Sequence, residues 1–110
     1  NALAAVSVGA THVSCSVNGI GERSGITDTC GLIANLSFLN WVSSVKPQHI
    51  MTLSHTVSTI TGAWPDAWRP VVGANSFTHK SKLHVMAASR NEDCYHWVEP
   101  KLLGRGAIIL

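Results

Sequence analysis

Glu22 and Arg23, set among glycines in Asn18-Gly-Ile-Gly-Glu-Arg-Ser-Gly25, carry the clearest chemical signal in this chain. A carboxylate beside a guanidinium at a tight turn can hold a polar substrate, and α/β enzymes place such groups at the carboxyl ends of strands. Glycines 19, 21 and 25 run G-x-G-x-x-x-G, one residue too long for the dinucleotide fingerprint, so a Rossmann loop is rejected. A βα turn whose glycines only make it tight is the competing reading.

Six histidines in 110 residues are the second resource. On a helix, His79 and His84 would lie about 140° apart around the axis and share no face. His49 and His55 fail likewise, unlike the i, i+4 pair of a metalloprotease helix. With no H-x-H and no carboxylate-rich helix, no metal site is expected within this chain. Lys80 and His84 would share a face, and a cation there lowers the proton affinity of an imidazole, which suits a general base. A solvated face explains the same spacing. Tyr95 stands among Cys94, His96 and Trp97, a cluster that packing alone would also produce. Trp64 and Trp68 could stack on a ligand or form a hydrophobic clasp. There is no G-x-S-x-G, no Walker loop and no Ser-His-Asp order.

The elements that must position these groups follow from periodicity. Residues 2–8 read as the end of a helix stopped by Gly9. Residues 12–18 alternate Val13, Cys15 and Val17 against Ser14, Ser16 and Asn18, as a strand does. Thr27 is the N-cap candidate for a helix running to Val42, with Leu32, Leu36 and Leu39 on one stripe and Ile33 and Trp41 beside it. Pro47 opens a further helix carrying Ile50, Leu53, Val57 and Ile60, closed by Gly62. A loop over 63–70, a helix over 75–89 capped by Asn75 or Ser76, and a short turn at 101–103 complete the chain. A single strand cannot make a sheet, so the chain is expected to be largely helical or to complete a sheet supplied elsewhere.

Composition sets the outer bounds. The chain is one domain at most, with 45% hydrophobic and 13% charged residues, an apolar balance that implies surface meant to be covered. A net charge of +2 with scattered basic residues gives no nucleic-acid footprint. No apolar run approaches the roughly 20 residues of a membrane span. The odd, widely spaced Cys15, Cys30 and Cys94 suggest free thiols in a reducing, cytoplasmic setting. NALAAVSVGA has no basic leader and no initiating Met, so the chain is expected to start inside a larger architecture.

Taken together, three segments resemble one family. NALAAVSVGATHVSCSVNGIGERSGITDTCGLIANL is similar to the last barrel segment of the α-isopropylmalate synthase and homocitrate synthase family, with its "N-G-I-G-E-R-x-G". VVGANSFTHKSKLHVMAA resembles that family's "V-G-x-x-A-F-x-H-x-S-G-I-H", and CYHWVEPKLLGR its "x-Y-E-x-x-x-P-x-x-V-G-R". Gly25-Ile26-Thr27, where isopropylmalate synthases usually have Gly-Asn, leans toward the homocitrate branch.

The resemblance implies an α/β fold: the last βα unit of a TIM barrel over 1–45, then a mainly helical C-terminal subdomain over 46–110. It implies condensation of acetyl-CoA with a 2-oxo acid. His84, Tyr95 and Glu22 would be catalytic, and Arg23 and His79 would bind substrate. It also implies a divalent metal held by barrel residues outside this chain, so none is expected on this chain alone. The partner would be a barrel-bearing chain or a second subunit, with neither nucleic acid nor membrane. A non-catalytic interaction module of the same descent is the alternative. Three positions depart from the pattern: Ile26 for asparagine, Lys82 for glycine and His96 for glutamate.

Overall fold

Asp28, rather than Thr27, starts the first long helix: its side chain accepts a hydrogen bond from the Cys30 backbone N–H. A computed structural model describes residues 1–41 and 44–110. Helix α1 spans Ala2–Ser7, α2 Thr29–Phe38, α3 Ile50–Thr61 and α4 Lys82–Arg90; strand β1 is Thr78–His79 and β2 Ile108–Ile109.

Helix α2 stops short of Trp41 because Asn40 takes a left-handed φ of 55°. The Trp41 N–H then donates to Leu36 O and that of Asn40 to Ser37 O, a paired bonding that consumes the last helical carbonyls. Leu32 and Ile33 are buried, Leu36 is half-buried and Leu39 is exposed, so the expected leucine stripe faces the core only at its start. Val42, the last residue of that predicted run, lies outside the described residues.

The strand expected over 12–18 does not form. Only Ser16 bridges, in parallel, to Asp28, and Val17–Gly19 turns as a 3-10 helix. The alternation is present, but no neighbouring strand supplies the ladder that would fix it. Among the described residues the paired strands are β1 and β2, parallel, with Thr78 opposite Ile108 and His79 opposite Ile109. No closed barrel is present among them.

Helix α3 follows a 3-10 turn opened by Pro47 and ends at left-handed Gly62, as its sequence predicts. Its buried face is nonetheless Ile50, Ser54 and Ser58, while Leu53 and Val57 are half-buried and Ile60 is exposed. The apolar stripe lost to a polar contact. Asn18 reaches this face, accepting from Ser54 Oγ at 2.6 Å and donating to Ser58 Oγ at 3.0 Å and to Ser54 O at 3.2 Å. Buried amides and hydroxyls are stable only when so paired.

The core joins α2 and α3 to the loop and tail: Cys30, Ile33, Ala34, Ile50, Val71, Val72, Phe77, Val98 and Leu103. Burial, with the Asp28 charge adding to it, pushes the Cys30 thiol up to about 11, which leaves it protonated packing. Arg105 ties the tail to this core by donating to the carbonyls of Val71 and Gly73, each at 2.7 Å. Residues 63–70 form a loop, and Pro100–Leu103 a short 3-10 turn, as predicted. Trp64 and Trp68 make no clasp: Trp64 packs edge-on against His55 at 5.5 Å, and Trp68 stays exposed.

Candidate functional site

The helix expected over 75–89 is replaced by a turn, a strand and a shorter helix, and this is what assembles the site. Ser76 Oγ donates back to Arg69 O, and Thr78 Oγ1 donates to Ala74 O, closing turns where the helix was predicted to start. Phe77 is buried, β1 pairs with β2, and helix α4 begins only after Ser81. Lys80 therefore precedes the helix and shares no helical face with His84. The helical-wheel separation of His79 and His84 likewise does not apply, and their ring centres lie 6.4 Å apart.

Tyr95 completes the group. Its ring stacks on that of His84, with centres 4.2 Å apart and planes 23° apart, and lies 6.1 Å from His79. The Asn91 side chain accepts from the Asp93 N–H, and the following turn leaves Tyr95 at a φ of +67°. That conformation costs a bulky L-residue about 1–2 kcal/mol, and such strain persists where surrounding structure enforces it, often at functional sites. His84 and Tyr95 are both exposed, open to a substrate.

His79 is the buried member, 6% exposed. Its Nε2 lies 2.9 Å from Nε2 of His96, whose ring also meets Phe77 edge-on. Burial first, then the neighbouring His96 and His84, hold the His79 imidazole below the ordinary histidine range and favour its neutral form. Exposed His84 can exchange a proton with a bound molecule, Tyr95 can donate from its hydroxyl, and neutral His79 can hydrogen-bond without charge.

Glu22 and Arg23 are not brought to this group. They pair with each other at 3.6 Å on a solvent-facing turn, with side chains 91% and 87% exposed. The loop bearing them is nevertheless closely built. Ile26 N–H donates to Gly19 O, Gly25 N–H to Glu22 O, and Arg69 donates to Asn18 O at 2.7 Å. A Cβ on Gly25, which has a φ of +90°, would lie 2.1 Å from Gly19 O. The glycines are there for backbone approach, and the charged pair rides on top of them.

Among the described residues, no group of three or more His, Cys, Asp or Glu could hold a metal ion. The two inner imidazoles direct their Nε2 atoms at each other. The metal implied by the resemblance therefore does not fit the described residues of this chain. Behind His96 lies a cavity of about 350 Å³ lined by Glu92, Asp93, Glu99 and Lys101, with Lys101 3.8 Å from Glu92. Its three carboxylates against one lysine disfavour an anionic ligand there.

His96 and Asn18 are the residues that sequence reasoning did not place in a role. His96 had a signal, as a third histidine beside Tyr95. The partners of Asn18 lie 36 and 40 residues away, and nothing local announces them.

Comparison with known proteins matches residues 1–57 to the HMGL-like family model, whose fold is a TIM barrel. The chain is 37% identical over 105 residues to homocitrate synthase of Pyrococcus abyssi, covering 96% of this chain and 29% of that protein. It is 38% identical over 107 residues to (R)-citramalate synthase of Synechocystis, covering 94% and 20%. It is 35% identical over 111 residues to 2-isopropylmalate synthase of Caulobacter vibrioides, covering 97% and 21%. The chain thus spans less than a third of the length of these curated relatives.

Proposed function

Since this chain belongs to the HMGL-like family, we propose that it is a part or subunit of an acetyl-CoA-dependent enzyme that condenses the acetyl group with a 2-oxo acid. Homocitrate synthase-like chemistry leads, with isopropylmalate synthase-like chemistry next. Similar identity to three differently named synthases does not select the 2-oxo acid. On this reading residues 1–45 are the last βα unit of a barrel, and residues 46–110 are a subdomain that delivers side chains to it.

The observation that carries the reading is the His84–Tyr95 stack, exposed beside buried His79 and held by a strained Tyr95 backbone. In such a condensation a base removes a proton from the acetyl methyl group and donors hold the oxygen that gains charge. We assign proton transfer to His84 and Tyr95 and substrate hydrogen bonding to His79. Glu22 and Arg23 belong to the barrel rim, and join the others only when the remaining barrel closes over the site. The divalent metal would come from that barrel. A cytoplasmic setting goes with the free thiols of Cys15, Cys30 and Cys94.

The test is metal-dependent condensation by this chain mixed with a barrel-bearing partner. His84→Ala is expected to lower kcat by about 10²–10⁴-fold, as loss of a general acid–base group does. An unchanged rate would remove the catalytic assignment and favour the interaction module, for which exposed Val8, Trp68 and Leu83 supply apolar surface.

A further inference from the structure

The contact between His79 and His96 has a direction that the burial of one atom decides. The two Nε2 atoms lie 2.9 Å apart, so one imidazole donates and the other accepts. The opposite nitrogen of His96, Nδ1, is sealed from solvent and has no hydrogen-bond partner, the single such side-chain atom among the described residues. If His79 donated, a neutral His96 would have to carry its proton on Nδ1 and bury an unpartnered N–H. A doubly protonated His96 would bury the same N–H. If His96 donates, only a bare lone pair is buried, and orphaned buried N–H groups are the rarer and costlier defect. His79 then accepts at Nε2, and its own proton must sit on Nδ1, which is not among the sealed, unpartnered side-chain atoms of the described residues.

We propose that His96 is a positioning residue that fixes His79 in its Nδ1–H tautomer, so that the buried imidazole offers one neutral N–H donor beside the His84–Tyr95 stack. Phe77 at the edge of the His96 ring, at 5.5 Å, restrains that ring against turning away. The ring centres of His79 and His96 are 5.0 Å apart with planes 37° apart, close to an in-line approach of the two nitrogens. A neutral N–H suits a carbonyl or carboxylate oxygen and cannot serve as a base. This divides the labour within the cluster: His79 orients and His84 exchanges protons. A carboxylate at position 96 could only accept, and would pull the His79 proton onto Nε2, so His96 reverses the hydrogen-bond polarity that an acidic residue would impose. That the N–H meets a 2-oxo acid rests on the function proposed above; the tautomer itself does not.

Histidine nitrogen NMR on the ¹⁵N-labelled 110-residue chain, without substrate near neutral pH, reads the tautomer directly. The expected spectrum has His79 Nδ1 as the protonated, pyrrole-type nitrogen and Nε2 as the pyridine-type one. In H96E the assignment should invert, with Nε2 carrying the proton. Wild-type spectra showing Nε2 protonated with Nδ1 bare, or both nitrogens averaged, would overturn the proposal without any variant. An H96E spectrum unchanged from wild type would overturn the positioning role. A correct tautomer in a protein that never condenses a 2-oxo acid would instead count against the function and leave the tautomer standing.

Discussion

The side chains of the histidine cluster differ in what water allows them to do. His79 is buried and held below the ordinary value of 6.5, whereas an unfolded chain would titrate it there. Between the lowered folded value and 6.5 the unfolded chain binds more protons, so unfolding becomes easier as pH falls through that window. Above 6.5 this contribution is fully present. Urea midpoints for the wild type should therefore drop between pH 7 and about pH 5.5 by more than those of His79→Gln; equal drops would show that His79 is not the linked group. The histidines and Tyr95 are legible in the sequence as residue types. Which of them is buried is not, because that depends on Ile108 and Leu110 pairing alongside Phe77 and His79 from the far end of the chain.

At the scale of elements, the sequence signals that held were backbone signals. Gly62 ends α3 and Pro47 opens its approach, each through its own dihedral preference. The readings that failed were the strand over 12–18, which finds no neighbouring strand to pair with, and the helix over 75–89, which gives way to local turn hydrogen bonds and the β1–β2 pairing. Two glycines separate conformation from crowding. Gly62 has a φ of +71° with nothing within 4 Å of an added Cβ, so Gly62→Ala should cost only about 1 kcal/mol. Gly25, at +90° with Gly19 O in the way, should cost about 2–3 kcal/mol or more as Gly25→Ala. Denaturant midpoints of the two variants give the comparison, and equal losses would mean that the NGIGERSG loop is not pinned against Gly19.

At the scale of the whole molecule, several large apolar side chains stand in solvent. Val8, Ile60, Trp68, Leu83 and Leu110 are all more than 70% exposed. On the function proposed above, this surface would face the remaining barrel. The chain spans 29% or less of the relatives compared, and neither a closed barrel nor a metal-binding group is present among its described residues. On the function proposed above, the chain alone should give no acetyl-CoA turnover with any 2-oxo acid, and a rate above background from the purified 110-residue chain would refute that reading. No helix among the described residues is long and apolar enough to cross a membrane.

What the sequence by itself determined was the inventory and the family. Three motifs in order, NGIGERSG, FTHKSKLH and CYHWVEPKLLGR, pointed to the family and offered candidate groups before any contact was known. Such motifs are local strings, and local strings survive without geometry. Tertiary structure alone decided the arrangement. It turned His79 out of the expected helix, set it against His96, stacked Tyr95 on His84 and left Glu22 and Arg23 apart in solvent. It also sank Asn18 onto Ser54 and Ser58, away from the charged tip of its loop. The physical reason is the same in each case. Burial and hydrogen-bond satisfaction are settled between segments tens of residues apart, and no periodicity within one segment encodes its partner.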